Sequence, residues 1–264
     1  MKKHLIINNR KIFYTDEGSG KTIILLHGYL ESVKIWKSFA QKLAEKYRII
    51  CFDIPGHGIS EVLAEKHTME ILAETIAAGL KQLKIDQCFM MGHSMGGYVT
   101  LMFHKLYPEM LNGFSLFHSH PFSDTEQIRE KRKREIELVK QGRKELIAKA
   151  NVPNAFADDN LKKFKIKAEE AVKIALQTPE TGIISNLYAM MNRPDLSESL
   201  ANTNIPFLFI VGEKDNYIDF NSVVPKVEMP KNSKLCVLNE SGHLGFLEEP
   251  KKSLECIFKF IAKI

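Results

Sequence analysis

The chain predicts an α/β fold: a doubly wound, mostly parallel sheet with a helical block inserted between two late strands. Three observations carry that expectation. Continuous apolar runs of strand length recur at 22–26, 47–52, 88–91 and 205–211, as in strands covered on both faces. Helix-length amphipathic stretches separate them, with short, turn-rich connections. From about residue 120 to 203 the strand pattern stops, and charged helical sequence interrupted by Pro153, Pro179 and Pro194 takes over.

The elements follow in order. Residues 4–14 alternate as a hairpin turning at Asn8, Asn9 and Arg10, and the polar stretch 16–20 leads into the first buried strand, 22–26. That strand stops at His27-Gly28-Tyr29. A helix over about 32–46 carries the single tryptophan, Trp36, on its early turns. Strand 47–52 opens onto Asp53-Ile-Pro-Gly-His-Gly-Ile-Ser60, a loop dense in turn residues. Helix 69–83 leads to the strand at 88–91, helix 98–107 follows, and 111–117 is a further strand. After the helical block come strands 205–211 and 234–238 and a closing amphipathic helix over 250–264.

The chemistry centres on Gly92-His93-Ser94-Met95-Gly96-Gly97, between the strand ending at Met91 and the helix beginning near Tyr98. A serine at the tip of so sharp a strand–turn–helix bend takes positive φ. Side chains two positions either side would collide with strand and helix, and Gly92 and Gly96 remove them. Gly97 lets the helix approach the sheet. The hydroxyl of Ser94 then stands free, and the Met95 N–H lies at a helix N-terminus, where negative charge is favoured.

Composition bounds the rest. At 264 residues and 44% apolar content, one large core with an insertion is affordable. No apolar run approaches the ~20 residues of a membrane span, and the opening 1–8 is too short in apolar residues for a signal core, so it reads as the first strand of a cytoplasmic protein. Cys51, Cys88, Cys236 and Cys256 lack metal spacing and read as reduced, buried small hydrophobes. The net charge of +5 is mild. Residues 126–170 hold thirteen Lys/Arg against nine Asp/Glu, but no reader motif or aromatic interleaving, which argues against nucleic acid.

A serine alcohol attacks a carbonyl at neutral pH only if a base takes its proton. His243, in Ser241-Gly-His243 just beyond strand 234–238, lies on the strand-end rim where open parallel sheets assemble their sites. A carboxylate must orient that base. Asp215 follows the preceding strand on the same rim; Asp219, Glu213 and Asp124 are the competing acids.

On these residues the chain resembles the α/β-hydrolase superfamily, in its serine-nucleophile, capped, esterase-like branch. The carriers are His27-Gly28, Asp53-x-Pro-Gly-x-Gly-x-Ser60, Gly92-His-Ser94-Met-Gly96-Gly97, Asp215 and Ser-Gly-His243, in the chain order serine, acid, histidine. They span about 20–117 and 205–264. The resemblance implies Ser94 as nucleophile, Asp215 as acid and His243 as base, with the backbone N–H groups of Tyr29 and Met95 as oxyanion hole. It implies a core domain of 1–119 and 204–264 and a cap of 120–203, with Asp53, His27, His57 and His93 shaping loops. The expected activity is ester or related acyl hydrolysis through an acyl-enzyme. C–C hydrolysis, lyase, thioesterase or amidase chemistry, or a slow-turnover receptor, are the alternatives. No cofactor or metal is called for, and the expected partner is a small acyl substrate, with monomer and homodimer both compatible.

His118, His120, Phe156, Met190, Met191 and Tyr217 are candidates for the substrate pocket, with core or loop packing as the alternative for each. The basic run Arg129–Arg134 reads as a solvated helix face, with attraction of anionic substrates as the other reading.

Overall fold

A computed structural model of the chain describes residues 3–264; Met1 and Lys2, read from the sequence as opening the first strand, lie outside the described residues. The hairpin pairs β1 (Lys3–Ile7) with β2 (Arg10–Glu17) across Asn8 and Asn9, whose φ of 50° and 59° suit the tight turn. β2 extends past the expected boundary because it also pairs, antiparallel, with β4 (Arg48–Phe52). Then β3 (Thr22–Leu26), β5 (Cys88–His93), β6 (Leu111–Phe117), β7 (Phe207–Gly212) and β8 (Ser233–Leu238) complete an eight-stranded sheet. Its order is β1-β2-β4-β3-β5-β6-β7-β8, parallel from β4 onward. β7 starts two residues later than the apolar run because Pro206 has no N–H to give a ladder.

Both faces of the sheet are covered, which is why the strands read as continuous apolar runs. Ile24, Leu26, Met90, Phe207 and Phe209 pack on one face against α2 (Met69–Gln82) and α3 (Met95–Leu106). Ile23, Leu25, Met91, Leu208 and Ile210 pack on the other, in the cluster that includes residues of α1 (Lys37–Ala44) and of the closing helix. The expected helix over 32–46 is split: a 3-10 turn at Val33–Trp36 precedes α1, and Trp36 packs against Phe246 with tilted rings whose centroids are 4.3 Å apart.

Five helices stand between β6 and β7: α4 (Glu126–Lys140), α5 (Lys144–Asn154), α6 (Lys165–Leu176), α7 (Glu180–Met191) and α8 (Ser197–Ala201). This insertion meets the sheet half backbone to backbone, at Gly182 and again where Gly242 lies against Phe156 and Ala157. A Cβ on Gly182 of α7 would lie 1.8 Å from the Gly56 carbonyl oxygen, so the helix and the 53–60 loop touch backbone to backbone. Beyond β7 come α9 (Phe220–Val223), α10 (Gly245–Glu248) and α11 (Pro250–Ile261).

One expectation is overturned. Cys236 on β8 and Cys256 on α11 form a disulfide. α11 packs back on the edge strand that precedes it, and a spacing of 20 residues says nothing about which helix face meets that strand. A bridge of this kind persists in oxidising compartments and is uncommon in the cytosol. Cys51 and Cys88 remain free thiols, pushed up to about 12 by burial. Among the described residues no helix is long and apolar enough to cross a membrane.

Candidate active site

The β5–α3 bend places Ser94 at φ 48°, ψ −114°, in a conformation few L-residues adopt. The glycines around it are required by space. A Cβ on Gly92 would meet the Gly96 carbonyl at 2.1 Å, and one on Gly96 would meet the Leu26 carbonyl at 2.3 Å. The bend is pinned from the neighbouring strand: Ser94 N–H donates to the Phe117 carbonyl (3.0 Å), and Ser119 Oγ–H donates to the Ser94 carbonyl (2.8 Å). Gly97 clears room for the Ser119 side chain, which a Cβ would strike at 2.4 Å; its close approach is to that side chain.

His243 sits in the loop after β8. Its Nδ1 lies 2.7 Å from Asp215 Oδ2, and both residues are buried. A carboxylate only accepts, so Nδ1 carries the proton and Nε2 is left with its lone pair. The other oxygen of Asp215 accepts from the amides of Tyr217 (2.8 Å) and Ile218 (3.0 Å). Burial alone would raise the Asp215 pKa, but the pull of His243, the hydrogen bond that it donates and the nearby His118 N–H outweigh it and hold the carboxyl far below its usual range. The competing acids are engaged elsewhere. Asp219 caps α9 by accepting from Ser222 N–H (2.9 Å), Glu213 accepts from Asn239 (2.8 Å), and Asp124 is held by two arginines.

Ser94 and His243 line one cavity of about 290 Å³, with Tyr29 beside them. Among the described residues there is no hydrogen bond between Ser94 Oγ and His243. At 28–31 the amides of Gly28, Leu30 and Glu31 bond to Glu31 Oε2 (2.6 Å), His57 Nε2 (3.3 Å) and the Gly28 carbonyl (3.3 Å). That leaves the Tyr29 N–H without a protein acceptor among the described residues. Met95 is the first residue of α3, where backbone N–H groups have no intrahelical acceptor.

Of the six pocket candidates, His120, Met190 and Tyr217 line the cavity. The other three need correction. Met191 is buried away from it, about 100° around α7 from Met190. Phe156 is buried in the cluster on the α1 side of the sheet, its ring near Phe164. His118 turns back toward Asp215: its Nε2 accepts the Gly245 N–H (3.1 Å), so its proton is on Nδ1, 3.3 Å from Asp215 Oδ2 though not squarely aligned with it. Burial keeps this imidazole neutral down to about 4. His118, Asp215 and His243 bring three ligand-type atoms within 4.8 Å of one another. A metal there would have to take the Asp215 oxygen and His243 nitrogen that their hydrogen bond already uses.

The sequence offered no signal for a second buried pair. His93 Nε2 faces the His243 carbonyl (2.8 Å), and its Nδ1 faces Glu31 Oε2 (3.0 Å). Both partners only accept, so both ring nitrogens carry protons and His93 is a cation. Burial would lower its pKa, but the Glu31 charge and hydrogen bond win and raise it; Glu31 is lowered by the same pairing, against its own burial. The ion pair ties His93 to the 28–31 loop, and its Nε2 bond ties it to the loop that carries His243. His27, His57 and Asp53 bond to loop amides of Ile54 (3.0 Å), Leu30 (3.3 Å) and Val33 (2.7 Å).

Residues 21–176 match the family model of the alpha/beta hydrolase fold. The chain belongs to the α/β-hydrolase family. It is 26% identical over 260 residues to the pimeloyl-[acyl-carrier protein] methyl ester esterase of Aeromonas hydrophila subsp. hydrophila, covering 92% of this chain and 96% of the relative. A second relative, the (E)-2-((N-methylformamido)methylene)succinate hydrolase of Acinetobacter baylyi, is 22% identical across 93% of this chain and 92% of its own. Among solved structures, a thermophilic esterase from Thermogutta terrifontis with malate bound superposes with a TM-score of 0.94 at 25% identity, covering 100% of this chain and 98% of that one. The protein is thus a hydrolase of the α/β-hydrolase fold.

Proposed function

We propose that this hydrolase cleaves small carboxylic esters or related acyl compounds through an acyl-enzyme on Ser94. The observation that carries the reading is the 2.7 Å bond from His243 to the buried Asp215 carboxylate, with that imidazole and Ser94 facing one cavity. The esterase names of two relatives agree with it.

The chemistry follows from the geometry. His243 Nε2 takes the Ser94 proton as Oγ attacks the carbonyl; that contact is commonly long before substrate binds and tightens in the complex. The Tyr29 and Met95 amides bind the developing oxyanion. One such donor is worth ~10²–10³ in kcat elsewhere, so the pair contributes as much as the base does. His243 then protonates the departing alcohol, activates water against the acyl-enzyme, and returns the proton to Ser94 as the acid leaves. Asp215 keeps the imidazole tautomer and steadies its positive form. No step needs a cofactor.

Residues 120–203 act as the cap over this core. α4, α5 and α7 all supply cavity-lining side chains, and the Ala155 carbonyl at the end of α5 accepts the His243 N–H at 2.7 Å. Turnover of p-nitrophenyl acetate by the wild type, and its loss in Ser94→Ala, is the test. An unchanged rate in Ser94→Ala overturns the proposal.

A further inference from the structure

The cavity holds an uneven set of charges. Asp124 is buried, and it is gripped by Arg132, through Nε (2.5 Å) and Nη2 (3.3 Å), and by Arg193 through Nη1. Burial would raise the Asp124 pKa, but the two arginines hold it below the usual range, so it is ionised at neutral pH. Two guanidiniums thus share one carboxylate. Elsewhere on the cavity wall Glu31 is paired with His93. Glu135, whose carboxyl is pushed upward by burial against the pull of Arg132 and Lys131, faces both of those cations. Lys131, Arg132 and Arg193 therefore outnumber the carboxylates Asp124 and Glu135. His120 adds no charge, since burial and the nearby Arg193 keep it neutral down to about 4.

The excess charge also has donors to spare. Arg193, 4% exposed, spends Nε on the Phe122 carbonyl (3.0 Å) and Nη1 on Asp124 and the Met190 carbonyl (2.8 Å). Among the described residues its Nη2 and Arg132 Nη1 have no protein acceptor. A guanidinium used only as a strut would need no second, half-engaged neighbour, and burying unneutralised positive charge is costly. An anion entering the cavity would complete the set with the paired, planar hydrogen bonds that guanidinium forms with carboxylate.

Position decides which anion. The Arg193 guanidinium lies 3.9 Å over the ring of Tyr98, and Tyr98, on the first turn of α3, lines the same cavity as Ser94, which precedes that helix. The surplus charge therefore shares one cavity with the nucleophile, beside the first turn of the helix that Ser94 precedes.

We propose that Arg132 and Arg193, held around Asp124, form an anion subsite that selects acyl substrates carrying a carboxylate a few carbons from the scissile carbonyl, such as half-esters of short dicarboxylic acids. This rests on the hydrolase reading above and names its substrate class. The basic run on α4 is thus not wholly a solvated face, because Lys131 and Arg132 turn into the cavity.

The test compares monomethyl glutarate with methyl valerate, which has a methyl group in place of the carboxylate. Wild type should favour the half-ester by tenfold or more in kcat/KM. Arg193→Gln and Arg132→Gln should each cut that preference roughly tenfold to a hundredfold, chiefly through KM, as expected for lost charge-assisted bonds. Should a variant fail to fold, the wild type alone decides: glutarate should inhibit p-nitrophenyl acetate turnover competitively, at least tenfold more tightly than glutaramide, and lose that advantage at high salt. Equal or better turnover of methyl valerate, with no inhibition by glutarate, overturns the subsite. Calorimetric binding of glutarate to Ser94→Ala keeps the two proposals apart, since it needs no turnover.

Discussion

The sheet rim and the helical cap meet at one cavity but are built on opposite terms. On the rim, backbone does most of the positioning: two glycines with no room for a methyl, a serine at φ 48°, and loop amides tied to buried histidines. In the helical insertion, side chains do it, through Arg132 on α4, Met190 on α7, and Asp124 and Arg193 in the segments that flank those helices. The difference separates two kinds of constraint. Bond making and breaking needs atoms fixed within a few tenths of an ångström, which rigid backbone supplies. Substrate choice needs only charge and shape, which a helix surface can supply in many ways.

If that division is right, rim substitutions should strike kcat and cap substitutions KM. Asp215→Asn tests the first half most severely. It leaves His243 without its carboxylate, and kcat should fall about 10⁴-fold, as in serine proteases treated the same way. A loss confined to KM would break the comparison. The Glu31–His93 pair is the rim's hidden strut, and Glu31→Gln should cost roughly 3–5 kcal/mol of stability. His93 is raised above its ordinary 6.5, so its share of stability is full below that pH and is lost as pH rises through the folded value. Glu31 is lowered from 4.5, so its share is present above that pH and is lost on acidification. The gap in Tm between wild type and Glu31→Gln should therefore be widest near pH 5–6 and narrow toward pH 9. A gap that grows with pH contradicts the pairing.

Two smaller effects sharpen the boundary between the regions. Replacing Cys236 and Cys256 together by serine should lower stability by up to about 3 kcal/mol, the chain-entropy value for a loop of this length, and leave kcat of the folded protein unchanged. Gly182→Ala forces α7 off the Gly56 carbonyl, at a cost of about 1–3 kcal/mol. Because α7 carries Met190, and Arg193 follows it, KM should shift further than kcat.

The same division explains what could be read in advance. Strands covered on both faces appear as uninterrupted apolar runs, and the bend at Ser94 appears because its sterics admit only glycine at 92 and 96. Asp215 and His243 could be named because each follows a strand and so must lie on the same rim. The cap offered no such handle. Met190 and Met191 look alike in sequence, and only the helix rotation decides which meets the cavity. Arg132 sits in a run of like charges whose solvated and buried members are told apart only by the rotation of α4, about 100° per residue. His118 read as a pocket residue because its rim position was visible, whereas its turn at φ 47° back toward Asp215 was not. The disulfide joins two surfaces whose meeting depends on how α11 lies on β8.

The central claim is that Ser94, activated by His243, is the group that becomes acylated. Intact-mass and peptide analysis after treatment with a fluorophosphonate probe tests it most directly. The account predicts a single adduct on the peptide containing Ser94, absent from Ser94→Ala and greatly slowed in His243→Ala. An adduct on another residue, or full ester turnover in a protein whose Ser94 stays unlabelled, would contradict it.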